Sequence, residues 1–547
     1  MHKYNQLTFS TVVSDVISKY AENNALSFID EKPVTYTQMG NKINALIAFI
    51  EKLNINQGDK VIIYSQNMPN WGIVYFALQW MGVIAVPVLP DFNTHELENV
   101  IRHSESKAIF ISESLESKLV DIQKENIKTI IRINNFDIIH NDNINVSYDE
   151  NAKSTKTYIT NENDLAILLY TSGTTGDSKG VMLSQKNVIF NALQGGEVQK
   201  IFENEKFLSV LPLSHTYENT LGLILPILKG ACIYYLRKPP TASVLIPAMQ
   251  SIKPDMMLTV PLIIEKVYKN SILPKLQSKT ITRTLIKFKP TRKFIHRIAG
   301  KKLYQTFGGN LKFFGIGGAK IDAIVEQFLI DAKFPYAIGY GLTETSPLLA
   351  GSNPTSTKFQ AIGPVVKKCK IKINNPDPIT GEGEIWAKGP NVMLGYYKNK
   401  TKTNEVMTND GWFKTGDLGI LDKKGYLSHK GRLKNMIVGA NGENIYPEEI
   451  ESLINNFKHV IESVVVKKKG KLVALVHFNR DELEQKVKEK TAEITHIIDK
   501  KIEELALELK HYINNKVNKF SKIQLLIVHP EPFHKTATKK IKRYLYY

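Results

Sequence analysis

YTSGTTGDSKG, residues 170–180, follows directly on LAILL (165–169), an apolar run with the length of a buried strand. Gly173, Gly176 and Gly180 permit backbone conformations closed to other residues and let the main chain approach a ligand closely. Successive N–H groups in such a turn form a concavity for anions. Ser172, Thr174, Thr175 and Ser178 add hydroxyl donors, and Lys179 adds a point charge suited to phosphate oxygens. The chemistry is that of a polyphosphate cradle. It is not a Walker loop, because Gly180 rather than Ser or Thr follows the lysine. A flexible surface linker can have the same composition, but linkers seldom begin directly behind a buried strand.

The 547 residues carry 72 Lys or Arg against 53 Asp or Glu, a net charge of +19. Such a length predicts more than one domain. With 43% hydrophobic and 23% charged residues the composition is that of an ordinary globular protein, which excludes a disordered chain. The positive excess favours anionic partners, and nucleic acid, anionic membrane and polyphosphate ligands all qualify. Cys232 and Cys369 lie far apart without metal-ligand neighbours, so neither a disulfide framework nor a structural zinc site is expected, and a reducing cytoplasm is. The first residues, MHKYNQLTFS, have no apolar core of signal-peptide length, so secretion is not expected. Residues 71–90 (WGIVYFALQWMGVIAVPVLP) are long enough for a bilayer. Gln79, Gly82, Pro87 and Pro90 interrupt them, however, and they divide into a buried helix over 71–81 and a buried strand over 83–88.

Up to about residue 162, helical and strand patterns alternate: a helix over 11–20, strands over 60–64 and 109–112. This predicts layered α/β with parallel sheets. A strand over 207–213 ends in Ser214-His215-Thr216-Tyr217, and the apolar stretch 220–236 reads as core, part of which could line an acyl pocket. Residues 269–312 hold twelve Lys or Arg and no Asp or Glu. They read as a solvated basic face or as a contact for anionic lipid; nucleic acid is a weaker third, since no recognised nucleic-acid module accompanies the charge. GIGGA (315–319) has the form of a tight turn. In AIGYGLTET (337–345), Tyr340 offers a flat face to a base, Thr343 a hydroxyl to phosphate and Glu344 a hard oxygen to Mg²⁺. GEIWAKGPNVMLGYY (383–397) reads as scaffold, and WFKTGDLG (412–419) places Asp417 in a glycine-flanked turn. After Gly431-Arg432-Leu433-Lys434 the composition changes to a smaller, more charged module. Pro447 opens a helix with Ile450, Leu453, Ile454 and Phe457 facing a core, and Ile502, Leu505, Ala506, Leu509, Ile513 and Val517 mark a second. The chain closes on PFHKTATKKIKR (532–543), a lysine-rich tail.

In this order, and over nearly the whole chain, these strings resemble the motifs of the adenylate-forming (AMP-binding) superfamily, which includes acyl-CoA synthetases, luciferases and peptide-synthetase adenylation domains. The basic insert and KNMIVGANGENIYPEEIE look most like bacterial long-chain fatty acyl-CoA synthetases. The resemblance implies a large N-terminal region of stacked α/β subdomains (1–431) and a small mobile α+β C-terminal domain (432–547). Thr171, Ser172, Gly173, Thr174, Thr175, Gly176 and Lys179 would hold the ATP phosphates, and Gly317, Gly318, Ala319, Tyr340 and Gly341 would surround the adenine. Asp417 would take the ribose hydroxyls, Arg432 ribose and phosphate, the Thr343 hydroxyl phosphate, and Glu344 Mg²⁺. His215 would lie beside the carboxylate being activated, Lys434 would be the hinge, and Lys540 would be the catalytic lysine. Many members have glycine where this chain has Lys539, so Lys539 and Lys535 stand as alternatives to Lys540.

The activity implied is formation of an acyl-AMP from a fatty acid and ATP, then a thioester with coenzyme A. An acyl carrier protein as acceptor, a medium-chain or aryl acid as substrate, and a non-catalytic nucleotide- or lipid-surface-binding protein are the alternatives. A cytoplasmic location is expected, with peripheral contact to anionic membrane through 269–312 and no specific nucleic acid.

Overall fold

The structure, a computed structural model, describes residues 4–120, 122, 127–141, 146–171, 179–438, 443–487, 494–536 and 540–547. Helix Pro69–Met81 lies at its centre. It is apolar on every side, so burial all round is its stable state. Proline at the first turn gives up an N–H that has no intrahelical partner there, and Gly82 ends the helix in the left-handed region at φ +71, its N–H on the Leu78 and Gln79 carbonyls. Deep within it Gln79 Nε2 donates to the Ala166 carbonyl at 2.9 Å, while Gln79 Oε1, Trp71 Nε1 and the Tyr75 hydroxyl are buried without a hydrogen-bond partner among the described residues. The core around the helix draws Val61, Ile63 and Ile167 from one sheet and Leu26, Ile233 and Tyr235 from another. The 71–90 segment therefore divides as its sequence predicts, the helix being followed by the buried strand Ile84–Val88. Among the described residues no helix is long and apolar enough to cross a membrane.

Two eight-stranded sheets flank this helix among the described residues. In the first, Lys60–Tyr64, Ile84–Val88, Ala108–Ile111 and Thr129–Arg132 run parallel, and Leu165–Thr171 joins beside Ile84–Val88. Lys179–Ser184 and Gly395–Tyr396 extend it antiparallel. In the second, Asn24–Phe28, Cys232–Tyr235, Lys206–Ser209, Met256–Thr259, Phe313–Ile316 and Tyr336–Gly341 are parallel neighbours. The strand expected over 207–213 stops at Ser209; Pro212 beyond it has no N–H to give a ladder. Ligands of such sheets bind outside the carboxyl ends of the strands. Those ends carry Thr171, His215, the GIGGA turn and Thr343–Glu344, which is why strings far apart in sequence meet.

A five-stranded antiparallel sheet follows, with Phe413–Leu421 and Tyr426–Arg432 at its centre. From Ile437 onward the chain has cores of its own. Helices Pro447–Asn455 and Ile494–Asn514 cover a three-stranded sheet, with Ile450, Ile454, Phe457, Ile502, Leu505, Leu509 and Ile513 buried between them. Leu453 is only half-buried, and Val517 lies beyond the end of the second helix. The whole is a large region of stacked α/β layers with a small α+β unit at its C-terminus.

Candidate active site

Expected in a turn, Asp417 instead lies within the strand Phe413–Leu421. Gly416, at φ +68, takes the left-handed conformation that a bulged strand needs, and the pairing shifts on both sides of it. Asp417 is thereby set directly opposite Arg432 in the antiparallel ladder. Its carboxylate, 2% exposed, lies 2.8 Å from Arg432 Nε and 3.6 Å from His429 Nε2. The Tyr340 hydroxyl donates to its other oxygen at 2.7 Å. Burial alone would raise this carboxyl; Arg432 and His429 together hold it below the usual carboxylate range. His429, which the motif reading passed over, also tilts its ring against Tyr340, 5.8 Å between centroids.

Tyr340 and Gly341 end the strand Tyr336–Gly341. A Cβ at Gly341 would stand 1.6 Å from the Pro347 carbonyl oxygen, so only glycine fits there. The next turn, Thr343–Thr345, carries Glu344 with half-buried Thr343 before it. The Tyr396 hydroxyl donates to Glu344 Oε1 at 2.9 Å, and Lys179 Nζ stands 5.3 Å from the centre of the Tyr396 ring. Tyr396, in the stretch read as scaffold, thus links the expected metal ligand to the expected phosphate lysine. It does so because Gly395–Tyr396 is the edge strand pairing with Lys179–Ser184. Burial lowers the Lys179 ammonium, with Lys402 and Lys434 adding to it, while Glu344 pulls the other way. Thr171 and Lys179 are the last pair of the hairpin; Ser172, Gly173, Thr174, Thr175 and Gly176 lie outside the described residues.

His215 caps the turn Thr216–Glu218, its Nδ1 accepting the Tyr217 N–H at 3.2 Å. That bond leaves Nε2 to carry the ring proton. Burial and the charge of Lys540 push the imidazole down to about 4, so it is neutral at pH 7. The Tyr217 ring lies across Gly315 and Gly317, where a Cβ at Gly317 would stand 3.0 Å from it. Gly318 turns at φ +82, and Ala319 is exposed beyond it. Below Tyr217 an apolar cavity of about 50 Å³ is lined by Leu221, Leu225, Phe207, Met256 and Leu258 among others. This volume holds a water or two; a longer acyl chain needs these side chains to move.

Lys540 is solvent-accessible yet surrounded by protein, the situation of a group inside a cleft. Desolvation and then Arg432 lower its ammonium below the ordinary lysine range, against the pull of Asp417 and Glu344. Lys535 is turned elsewhere, in an ion pair with Glu462, and Lys539 lies outside the described residues. Lys434 is exposed on the short turn Leu433–Asn435, directly after Arg432. Polar contacts hold the C-terminal unit over the cleft: Asn456 donates to Asp322, Lys320 meets Glu449 at 3.3 Å, and the Tyr446 hydroxyl donates to Glu382. Five sequence-selected residues, His215, Glu344, Asp417, Arg432 and Lys540, thus lie within electrostatic reach of one another or share Lys540 as neighbour. The arrangement can hold an anion of several charges beside a neutral imidazole.

Residues 13–397 match the family of AMP-binding enzymes. Among curated proteins, the chain is 26% identical over 465 residues to a long-chain-fatty-acid–CoA ligase of Mycobacterium bovis, covering 79% of this chain and 75% of that one. It is 28% identical over 509 residues to long chain acyl-CoA synthetase 3 of Arabidopsis thaliana, covering 83% and 75%. Among solved structures it is similar to o-succinylbenzoate CoA synthetase of Bacillus subtilis in complex with an acyl-adenylate, with a TM-score of 0.76, 22% identity and 97% of each chain covered. ATP-bound MatB of Rhodopseudomonas palustris has a TM-score of 0.77 at 20% identity, with 98% of each chain covered.

Proposed function

The chain belongs to the family of AMP-binding enzymes, and we propose that within it this protein is a long-chain fatty acyl-CoA ligase. The fatty-acid carboxylate attacks the α-phosphorus of ATP, forming acyl-AMP and releasing pyrophosphate; the thiol of coenzyme A then attacks the acyl carbon and AMP leaves. The observation that carries this reading is the position of Lys540, over the cleft that also holds Arg432, Asp417 and Glu344. Two anions must meet in the first step, and fixed positive charge stabilises the charge that develops. Lys540 bridges carboxylate and α-phosphate in this reading, with Arg432 on ribose and phosphate and the buried Asp417 carboxylate accepting the ribose hydroxyls. Glu344 would hold Mg²⁺, which would supply neutralisation of phosphate charge, and the Thr343 hydroxyl would donate to phosphate. Neutral His215 offers a hydrogen bond to the substrate carboxylate without competing for its charge. The 171–179 loop, with Lys179, takes the departing pyrophosphate.

Thiol attack needs the lysine removed and the acyl carbonyl opened to coenzyme A. We assign that to rotation of residues 432–547 about Lys434, supported by the polar character of the contacts that hold the unit in place. The names of the curated relatives support long-chain acids and coenzyme A as substrates. A second reading is a medium-chain or aryl acid, which would ask for less displacement of the side chains lining the small cavity below Tyr217. A carrier protein is the alternative acceptor, acting in trans. The location proposed is the cytoplasm, at the inner face of the membrane. AMP formation should be measured across acids from acetate to stearate, with and without coenzyme A. A maximum at long chains that requires coenzyme A is expected. A maximum at short or aryl acids assigns the second reading, turnover only with a carrier protein changes the acceptor, and no AMP from any acid overturns the ligase.

A further inference from the structure

Residues 269–312 form a surface that the adenylation chemistry does not use. The helix Lys289–Thr306 is anchored by one face only. His296, Gly300 and Leu303 are buried on that face. Gly300 lies so close to the neighbouring helix Ala323–Ala332 that a Cβ would stand 2.4 Å from Ala332 Cβ. Arg292 Nε and His296 Nδ1 both reach the buried Asp331 carboxylate, at 2.8 and 3.1 Å. The opposite face is thereby fixed outward, and it is not polar: Phe294 is 65% exposed and Ile298 60%. At helical spacing Arg297, Lys301 and Lys302 stand beside these two. The preceding short helix Thr280–Leu285 and its connection add Ile281 at 74% and Phe288 at 62% exposure. Around them stand Lys279, Arg283, Lys287, Lys289 and Lys293, which pair with no carboxylate among the described residues.

Outward aromatic and aliphatic side chains ringed by unpaired cations match the anionic headgroup layer over hydrocarbon. A merely solvated basic face has no use for Phe288, Phe294 and Ile298, and a nucleic-acid face wants polar or stacking contacts to bases rather than an isoleucine pair. We propose that the face built from Ile281, Phe288, Phe294 and Ile298 with Arg297, Lys301 and Lys302 docks the protein on anionic phospholipid bilayers, the basic side chains on headgroups and the apolar ones in the acyl boundary. This deepens the membrane location given above and names its surface.

The test is flotation of the full-length protein, without ATP or acid, on phosphatidylcholine vesicles with and without phosphatidylglycerol. Because neither substrate is present, failure here is separate from failure of the ligase reading. Wild-type protein is expected on the anionic vesicles only, released by salt. Arg297→Gln/Lys301→Gln/Lys302→Gln should lower partitioning about a hundredfold. Phe294→Ser/Ile298→Ser should lower it severalfold and make the remainder more salt-sensitive. Both sets are exposed, and AMP formation from a soluble short acid should be unchanged in them. No wild-type binding to anionic vesicles, or equal binding by both variants, overturns the proposal. So does tighter binding to duplex DNA than to vesicles with no effect of the Phe294 and Ile298 changes.

Discussion

Asp417 and Arg432 are direct partners across the two central strands of the five-stranded sheet, and their side chains close to 2.8 Å. A rigid antiparallel ladder, rather than a pair of loops, therefore sets the distance between the two groups proposed for the ribose and phosphate. The pair also has a structural load. Asp417 is buried with Tyr340 and His429 as its other neighbours, so Arg432→Ala leaves a buried carboxylate short of charge compensation. The arginine side chain is 43% exposed, and water takes up part of the loss. Chemical denaturation should show a destabilisation of about 1–3 kcal/mol, with weaker ATP binding by calorimetry. An unchanged midpoint would mean that His429 and Tyr340 suffice for Asp417.

Lys540→Ala should reduce pyrophosphate release about a hundredfold or more, the scale of losing a preorganised charge at a developing oxyanion. Thioester formation from supplied acyl-AMP should be nearly unaffected, and Lys434→Pro should give the reverse pattern. Because its folded-state pKa is lowered, Lys540 loses its proton at a pH below the ordinary lysine range, and adenylation should fall on the alkaline side there. In Lys540→Arg that limb should move to higher pH. Equal damage to both half-reactions by Lys540→Ala sinks the assignment.

Tyr396→Phe deletes one hydroxyl and with it the hydrogen bond that orients Glu344. Support of this kind to a metal-binding carboxylate is worth about tenfold or more in metal affinity. The Mg²⁺ concentration for half-maximal adenylation should rise by that order, with stability nearly kept. If the Mg²⁺ requirement is unchanged, Tyr396 serves only the packing of Lys179.

Glu218 is buried beside Tyr217, its carboxyl 2.6 Å from the Ser209 hydroxyl and crowded against Gly222. Burial pushes this carboxyl up to about 8, the Ser209 bond opposing. A folded-state pKa raised above the unfolded value means the native state binds the extra proton. Stability from that proton is present below the unfolded pKa and is lost as pH rises through the folded value. Between pH 5 and 8 it should fall by up to about 1.4 kcal/mol per pH unit, and Glu218→Gln should remove that slope. Parallel stability curves for the two proteins over this range would show that Glu218 ionises freely.

A Cβ at Gly195 would stand 2.6 Å from Leu221 and 3.0 Å from Leu225, both of which line the apolar cavity. Gly195→Val should therefore drive Leu221 into that space. Discrimination by about a methylene's volume is worth roughly 10–200-fold in kcat/KM, so long acids should lose that much relative to acetate. Equal effects on all chain lengths would place the acyl chain elsewhere.

The sequence by itself determined the local chemistry and the layer order. The YTSGTTGDSKG string, the alternation of strand and helix patterns, the all-apolar helix before Gly82 and the capped helix after Pro447 follow from backbone freedom, periodicity and end signals, all properties of neighbouring residues. Only the tertiary structure decided which side chains serve those motifs. Tyr396 supports Glu344 because its edge strand pairs with Lys179–Ser184, more than two hundred residues earlier in the chain. His429 joins Asp417 through strand register, and the same bulged strand removes Asp417 from the turn in which its flanking glycines placed it. Lys540 and Lys535 both stand in the lysine-rich tail as candidates, and what separates them is that Glu462 holds Lys535 while Lys540 stands over the cleft. The basic segment showed its charge in sequence; that Phe294 and Ile298 face outward depends on Gly300 and Asp331 fixing the opposite face of their helix. Such pairings are set by contacts between residues far apart in the chain, for which a single sequence carries no local signal.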